Sequence, residues 1–137
     1  MSSFYEDILK KNVLDYHGPH EAVIKLAPEL YRLISDLLFD RDIEQQYRSK
    51  LLTSIGYFIV PQDLYPEDEH GAIGYVDDLM LLITVIREIS EKYGEEKLLL
   101  YWKKDGQVLK KVINEYYFAL INDYRLLFEE VIQFVGF

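Results

Sequence analysis

The sequence contains no cysteine. That excludes disulfides, thiolate metal sites and cysteine nucleophiles, and it is compatible with a reducing cytoplasm, where the protein is expected to reside. Long apolar runs are also missing. The longest uncharged stretch, Leu51 to Gln62, has Pro61 near its end. It falls short of the roughly 20 residues that a membrane-spanning helix requires, so no integral membrane span is expected. Residues Met1 to Lys11 carry Glu6, Asp7, Lys10 and Lys11 without an apolar run. No secretory leader is expected from that pattern.

Positive charge is scarce as well. Fifteen Lys and Arg stand against 24 Asp and Glu, a net charge of −9 at pH 7. Such a balance opposes nucleic-acid binding, which needs a positive surface against phosphates. It suits a basic protein partner instead. The doublets Lys103-Lys104 and Lys110-Lys111 are local exceptions, read as a solvated face. The chain has no Asn-Gly turn and a single Asp-Gly, Asp105-Gly106, flanked by Lys-rich helical patterns. Hairpin signals are therefore lacking. A nucleophile elbow, a Gly-rich phosphate loop and the spacing of a helix–loop–helix calcium site are absent too.

What is present is helical periodicity. Half of the 137 residues are hydrophobic, enough for a folded core, and 12 are Tyr, a residue suited to half-buried positions. The first helix is expected over 3–16, capped by Ser3 with Glu6 three residues on, its apolar stripe formed by Phe4, Ile8 and Leu9. Gly18-Pro19 ends it. An apolar pattern over 19–39 is interrupted by Pro28, which should break the helix and start a new one running to Phe39. A third segment covers 42–59, with Asp40 or Asp42 as its cap. A fourth covers 75–93 and is apolar nearly all round from Leu79 to Ile86, the mark of a buried central helix closed by Gly94. A short fifth follows over 95–102. A sixth spans 106–135 and is divided near Asn122-Asp123, which fit a helix interior poorly. The fold class is thus all-α: one compact bundle of five to seven helices spanning 1–137. Val131, Ile132, Phe134, Val135 and Phe137 give the chain end enough apolar area to complete the core or to form a homo-oligomer surface.

Between the third and fourth segments lies an irregular stretch over 60–74. It holds Pro61, Asp63, Pro66, Glu67, Asp68, Glu69, His70, Gly71 and Gly74, and Asp77-Asp78 follow directly. Loops of this length inside small domains are often functional. Tyr57, Pro61, Asp63, Pro66, Glu67, Gly74, Asp77 and Asp78 together read as Tyr, Pro-x-Asp-x-x-Pro-acid, then Gly-x-x-Asp-Asp before an apolar helix. This pattern resembles the YkvA-like family of uncharacterised helical domains, domain of unknown function 1232. The likeness covers about Leu52 to Ile86, with a family-like core at about 42–93. It implies a helical fold and a shared site without a settled activity. Many members carry an apolar loop after the second proline, and some look membrane-associated. Here that place holds Glu67-Asp68-Glu69-His70, which marks an acidic, soluble variant.

The acids allow two uses. Carboxylates in the first turn of a helix meet the positive end of its dipole, and consecutive residues point about 100° apart, so Asp77 and Asp78 should address different neighbours. Asp63 can accept backbone N–H groups in a local turn. In this reading the acids clasp the loop, with Arg32 and Arg48 as candidate partners. Alternatively, Asp63, Glu67, Asp77 and Asp78 supply the oxygen ligands that Mg²⁺ or Ca²⁺ would need. That version predicts a metal-dependent enzyme, such as a phosphoester hydrolase, although no cofactor is required by the composition. His70 beside Asp77 and Asp78 would form an acid–base pair, and His17 and His20 flank a turn with acids nearby. No catalytic residue is assigned. The favoured function is a non-enzymatic module that meets a protein partner through Glu67, Asp68, Glu69 and His70; peripheral membrane association is the third alternative.

Overall fold

The computed structural model describes residues 4–59 and 75–137. Among these residues the regular structure is helical, with no strand. The helices are α1 (Phe4–Val13), α2 (Glu21–Ile24), α3 (Ala27–Leu38), α4 (Gln45–Ile59), α5 (Val76–Tyr93), α6 (Glu95–Leu99), α7 (Gly106–Lys111), α8 (Tyr117–Asp123) and α9 (Arg125–Val135). A π-helical turn, Val112–Tyr116, joins α7 to α8.

Helix α5 is the axis of the molecule. Every residue from Val76 to Ile83 is buried, as are Val85, Ile86 and Ile89. An all-round apolar helix is stable only when other elements cover every side. Helices α3, α4, α6, α8 and α9 provide that cover, with α4 the closest companion. Gly94 ends α5 at φ 90°, where an L side chain is strained, and its N–H donates to the Ser90 carbonyl at 2.8 Å.

Pro28 breaks the second segment as its chemistry requires. It sits in the first turn of α3, where its missing N–H costs nothing. Leu30, Leu33, Ile34 and Leu37 then repeat on one face and are completely buried. The apolar face of α1 differs from the expected Phe4, Ile8 and Leu9 stripe. Phe4 is 82% exposed and Ile8 36%, whereas Leu9, Val13 and Glu6 are buried. Glu6 faces inward because its carboxylate lies 3.6 Å from Arg32 of α3 and 3.7 Å from Lys10. Ser3 lies outside the described residues.

The connection between α3 and α4 corrects a second expectation. Neither Asp40 nor Asp42 caps α4, which starts at Gln45. Asp40 is instead a buried hub. Its Oδ1 accepts the Asp42 N–H at 2.8 Å, and its Oδ2 accepts Tyr101 Oη at 2.8 Å and Lys97 Nζ at 3.1 Å. Arg48 completes the corner from α4 by donating to the carbonyls of Leu38, Asp40 and Ile43. These include the end of α3, where carbonyls have no intrahelical partner. The corner is thereby tied to α6 and to the chain following it.

Burial pushes the Asp40 carboxyl up, but the bonds from Tyr101, the Asp42 amide and Lys97 outweigh it, leaving the group below its ordinary pKa. Lys97 is raised by its bond to Asp40, as is Tyr101. A depressed carboxylate stabilises the fold fully above its unfolded pKa near 4 and loses that contribution as pH falls through the lower folded value. The raised Lys97 and Tyr101 contribute below about pH 10 and lose it as pH rises through their folded values. Asp40→Asn should therefore lower Tm at pH 7 by roughly 3–8 °C, and the difference from wild type should shrink below about pH 4. Thermal unfolding followed by circular dichroism from pH 3 to 8 checks this; an equal deficit at every pH would contradict it.

Candidate functional site

The motif residues within the described chain are Tyr57, Asp77 and Asp78. Tyr57 lies near the end of α4, and both aspartates lie in the first turn of α5. All three are buried, with the aspartates 0% and 1% exposed. Tyr57 Oη donates to Asp77 Oδ2 at 3.2 Å, and the Asp78 N–H donates to Asp77 Oδ1 at 3.1 Å. Asp77 thus spans from the start of one core helix to the end of the other. An acceptor here meets both the favourable end of the α5 dipole and the free N–H groups of its first turn.

Aromatic packing holds the same junction on its other side. Tyr75, immediately before α5, stacks on Phe58 with ring centroids 5.9 Å apart and planes at 22°. Tyr31 of α3 and Tyr5 of α1 approach Phe58 at 6.0 and 6.4 Å. Tyr5 Oη donates to the Phe58 carbonyl at 2.6 Å, serving a helix-end acceptor, while Asn12 of α1 donates to Tyr75 Oη at 2.9 Å. Both stems of the 60–74 segment are therefore fixed by side-chain contacts from α1 and α3.

Helix α9 roofs the Tyr57 side. Val131 is buried against Tyr57 and Leu81, and Phe134 sets its ring 6.1 Å from the Tyr57 ring. Phe137 lies under Lys50 Nζ at 5.1 Å. The apolar chain end thus packs largely on the core, although Phe134 stays 65% exposed.

Pro61, Asp63, Pro66, Glu67, Asp68, Glu69, His70 and Gly74 lie outside the described residues. The expected arginine partners take other roles. Arg48 serves backbone carbonyls, and Arg32 meets Glu6 and Asp36, the latter at 3.4 Å. Arg48 is drawn to the open carbonyls at the end of α3, and Arg32 to acids on α1 and on its own helix. Among the described residues no group of three or more His, Asp or Glu is arranged to hold a metal. The two histidines at the first turn diverge: His17 meets Glu21 at 3.2 Å, and His20 meets Asp123 at 2.7 Å. His20 does so from a left-handed backbone, φ 59°. Its bond lowers the distance between the α1–α2 turn and the α8–α9 break to one side-chain contact, a link with no local sequence signal.

The Tyr57–Asp77 pair joins the two helices that flank the Pro-rich stretch of sequence. Residues 48–84 match the family model described as "Protein of unknown function (DUF1232)". The matched residues contain all but the first three residues of α4, the connection and the first half of α5, close to the 52–86 range carried by the motif. One curated relative, "Uncharacterized protein ORF9" of Methanothermobacter thermautotrophicus, is 26% identical over 96 residues. The alignment takes in 70% of this chain and 66% of that relative's length, just under two thirds. No solved structure matches.

The packing of α9 over α4 and α5 has a direct test. Leu81 is fully buried in the cluster with Tyr57 and Val131, whereas Leu126 of α9 is 76% exposed. Leu81→Ala should cost about 2–5 kcal/mol in urea unfolding. Leu126→Ala should stay within about 0.5 kcal/mol. Similar effects for both would contradict this placement of α9.

Proposed function

We propose that the protein is a non-enzymatic interaction module whose DUF1232 segment presents the acids Glu67, Asp68 and Glu69, with His70, to a basic protein partner. The observation that supports this most is the use made of Asp77. It is a motif acid, fully buried, and it accepts the Tyr57 hydroxyl between two core helices. A carboxylate committed in that way serves the scaffold. The run at 67–70 then carries the exchangeable charge, and the net charge of −9 favours encounter with a positive surface. Binding of this kind should weaken steeply with ionic strength.

The test is capture from a lysate, comparing the wild type with a Glu67→Lys, Asp68→Lys double variant that melts normally. The reading expects a partner held by the wild type at low salt and lost by the variant. Retention of every partner would overturn it. A divalent-ion reading remains as the rival, because Asp77 and Asp78 are adjacent carboxylates at under 2% exposure. It predicts a higher Tm when millimolar Mg²⁺, Ca²⁺ or Mn²⁺ is added to chelator-treated protein; the interaction reading predicts no shift.

A further inference from the structure

A recess of ≈ 200 Å³ opens where the π-helical turn passes α5, lined by Arg87, Ser90, Glu91, Ile113 and Asn114. It lies at the π-helical turn, a feature frequent at functional sites, because widening the helix displaces carbonyls from their usual partners. Arg87 accounts for one of them: its Nη1 donates to the Ile113 carbonyl. Its guanidinium carbon also sits 4.6 Å from the Tyr117 ring centroid and 4.8 Å from that of Phe118.

This arrangement leaves Arg87 with capacity to spare. A guanidinium has five N–H donors, and Ile113 takes one. Among the described residues no carboxylate reaches ion-pair distance of Arg87, although Glu91 stands on the same recess. Arg32, by contrast, meets two acids. The two rings and the Ile113 bond hold the guanidinium plane in place, which reduces the ordering cost of binding.

We propose that this recess binds a small organic monocarboxylate with an apolar body. A planar guanidinium matches a carboxylate through paired N–H···O bonds, and Ser90 and Asn114 add neutral hydrogen-bonding groups beside it. The volume is on the scale of a site for one ring, since an engineered cavity of roughly 150 Å³ holds benzene. Ile113, on the wall of the recess, offers the apolar body a contact. Glu91 sets the charge: its carboxylate opposes a dianion such as phosphate more strongly than a single carboxylate. Binding in this recess does not depend on the role of the 67–70 acids.

Titration followed by NMR, with benzoate, benzamide and inorganic phosphate as probes on the full chain, tests the proposal. Benzoate should bind saturably and shift the amides of 112–118, while benzamide and phosphate bind at least ten-fold more weakly. Arg87→Gln should weaken benzoate at least ten-fold. That variant also loses the Ile113 bond, so the exposed Glu91→Gln provides a second reading on an intact fold. It should tighten benzoate and narrow the gap to phosphate by several-fold. No saturable benzoate binding, equal binding of benzamide, or an unchanged benzoate-to-phosphate ratio in Glu91→Gln would each overturn the proposal.

Discussion

A helix segment that is buried on every side can exist in water only as the centre of something else, and the first half of α5 imposes that constraint on this protein. The other helices are arranged as its covering. Helix α4 lies along it, α3 and α6 pack on it, and α9 returns to close the side where Leu81 would otherwise be bare. Two buried carboxylates caught in the arrangement are hydrogen-bonded across elements. Asp40 gathers Lys97, Tyr101 and the Asp42 amide, and Asp77 takes the Tyr57 hydroxyl. Buried polar groups of this kind specify one packing, because any other leaves them unsatisfied.

The junction of α4 with α5 shows how a Pro- and acid-rich connection can be built into such a core. Its two stems are held together by the Tyr57–Asp77 bond on one side and by the Phe58–Tyr75 stack on the other, with Tyr5 and Asn12 of α1 bonded to it. These contacts join α4 to α5 independently of the residues between them.

Much of this was legible in the residues. The apolar run from Leu79 to Ile86 announces a buried helix, and Pro28 marks a helix start that the structure shares. Tyr57, Asp77 and Asp78 are readable as a motif, and their burial follows from their place beside that run. The Asp40 hub was not legible, because Lys97 and Tyr101 lie 57 and 61 residues away and only the tertiary fold unites them. The face of α1 was misjudged for a similar reason. Glu6 turns inward to reach Arg32, a pairing that hydropathy alone cannot register. The π-helical turn and the bond that Arg87 of α5 makes to it also leave no periodic signature, since a single wider turn is hard to see in an otherwise helical pattern.

The central claim is that the motif acid Asp77 works as a structural tie between α4 and α5. A double-mutant cycle with Tyr57→Phe, Asp77→Asn and their combination, read by urea unfolding in chelator-treated and Mg²⁺-supplemented buffer, tests it most directly. The account predicts a coupling of about 0.5–3 kcal/mol that is the same in both buffers. Additive effects, or a cost of Asp77→Asn that appears only with Mg²⁺ present, would contradict it.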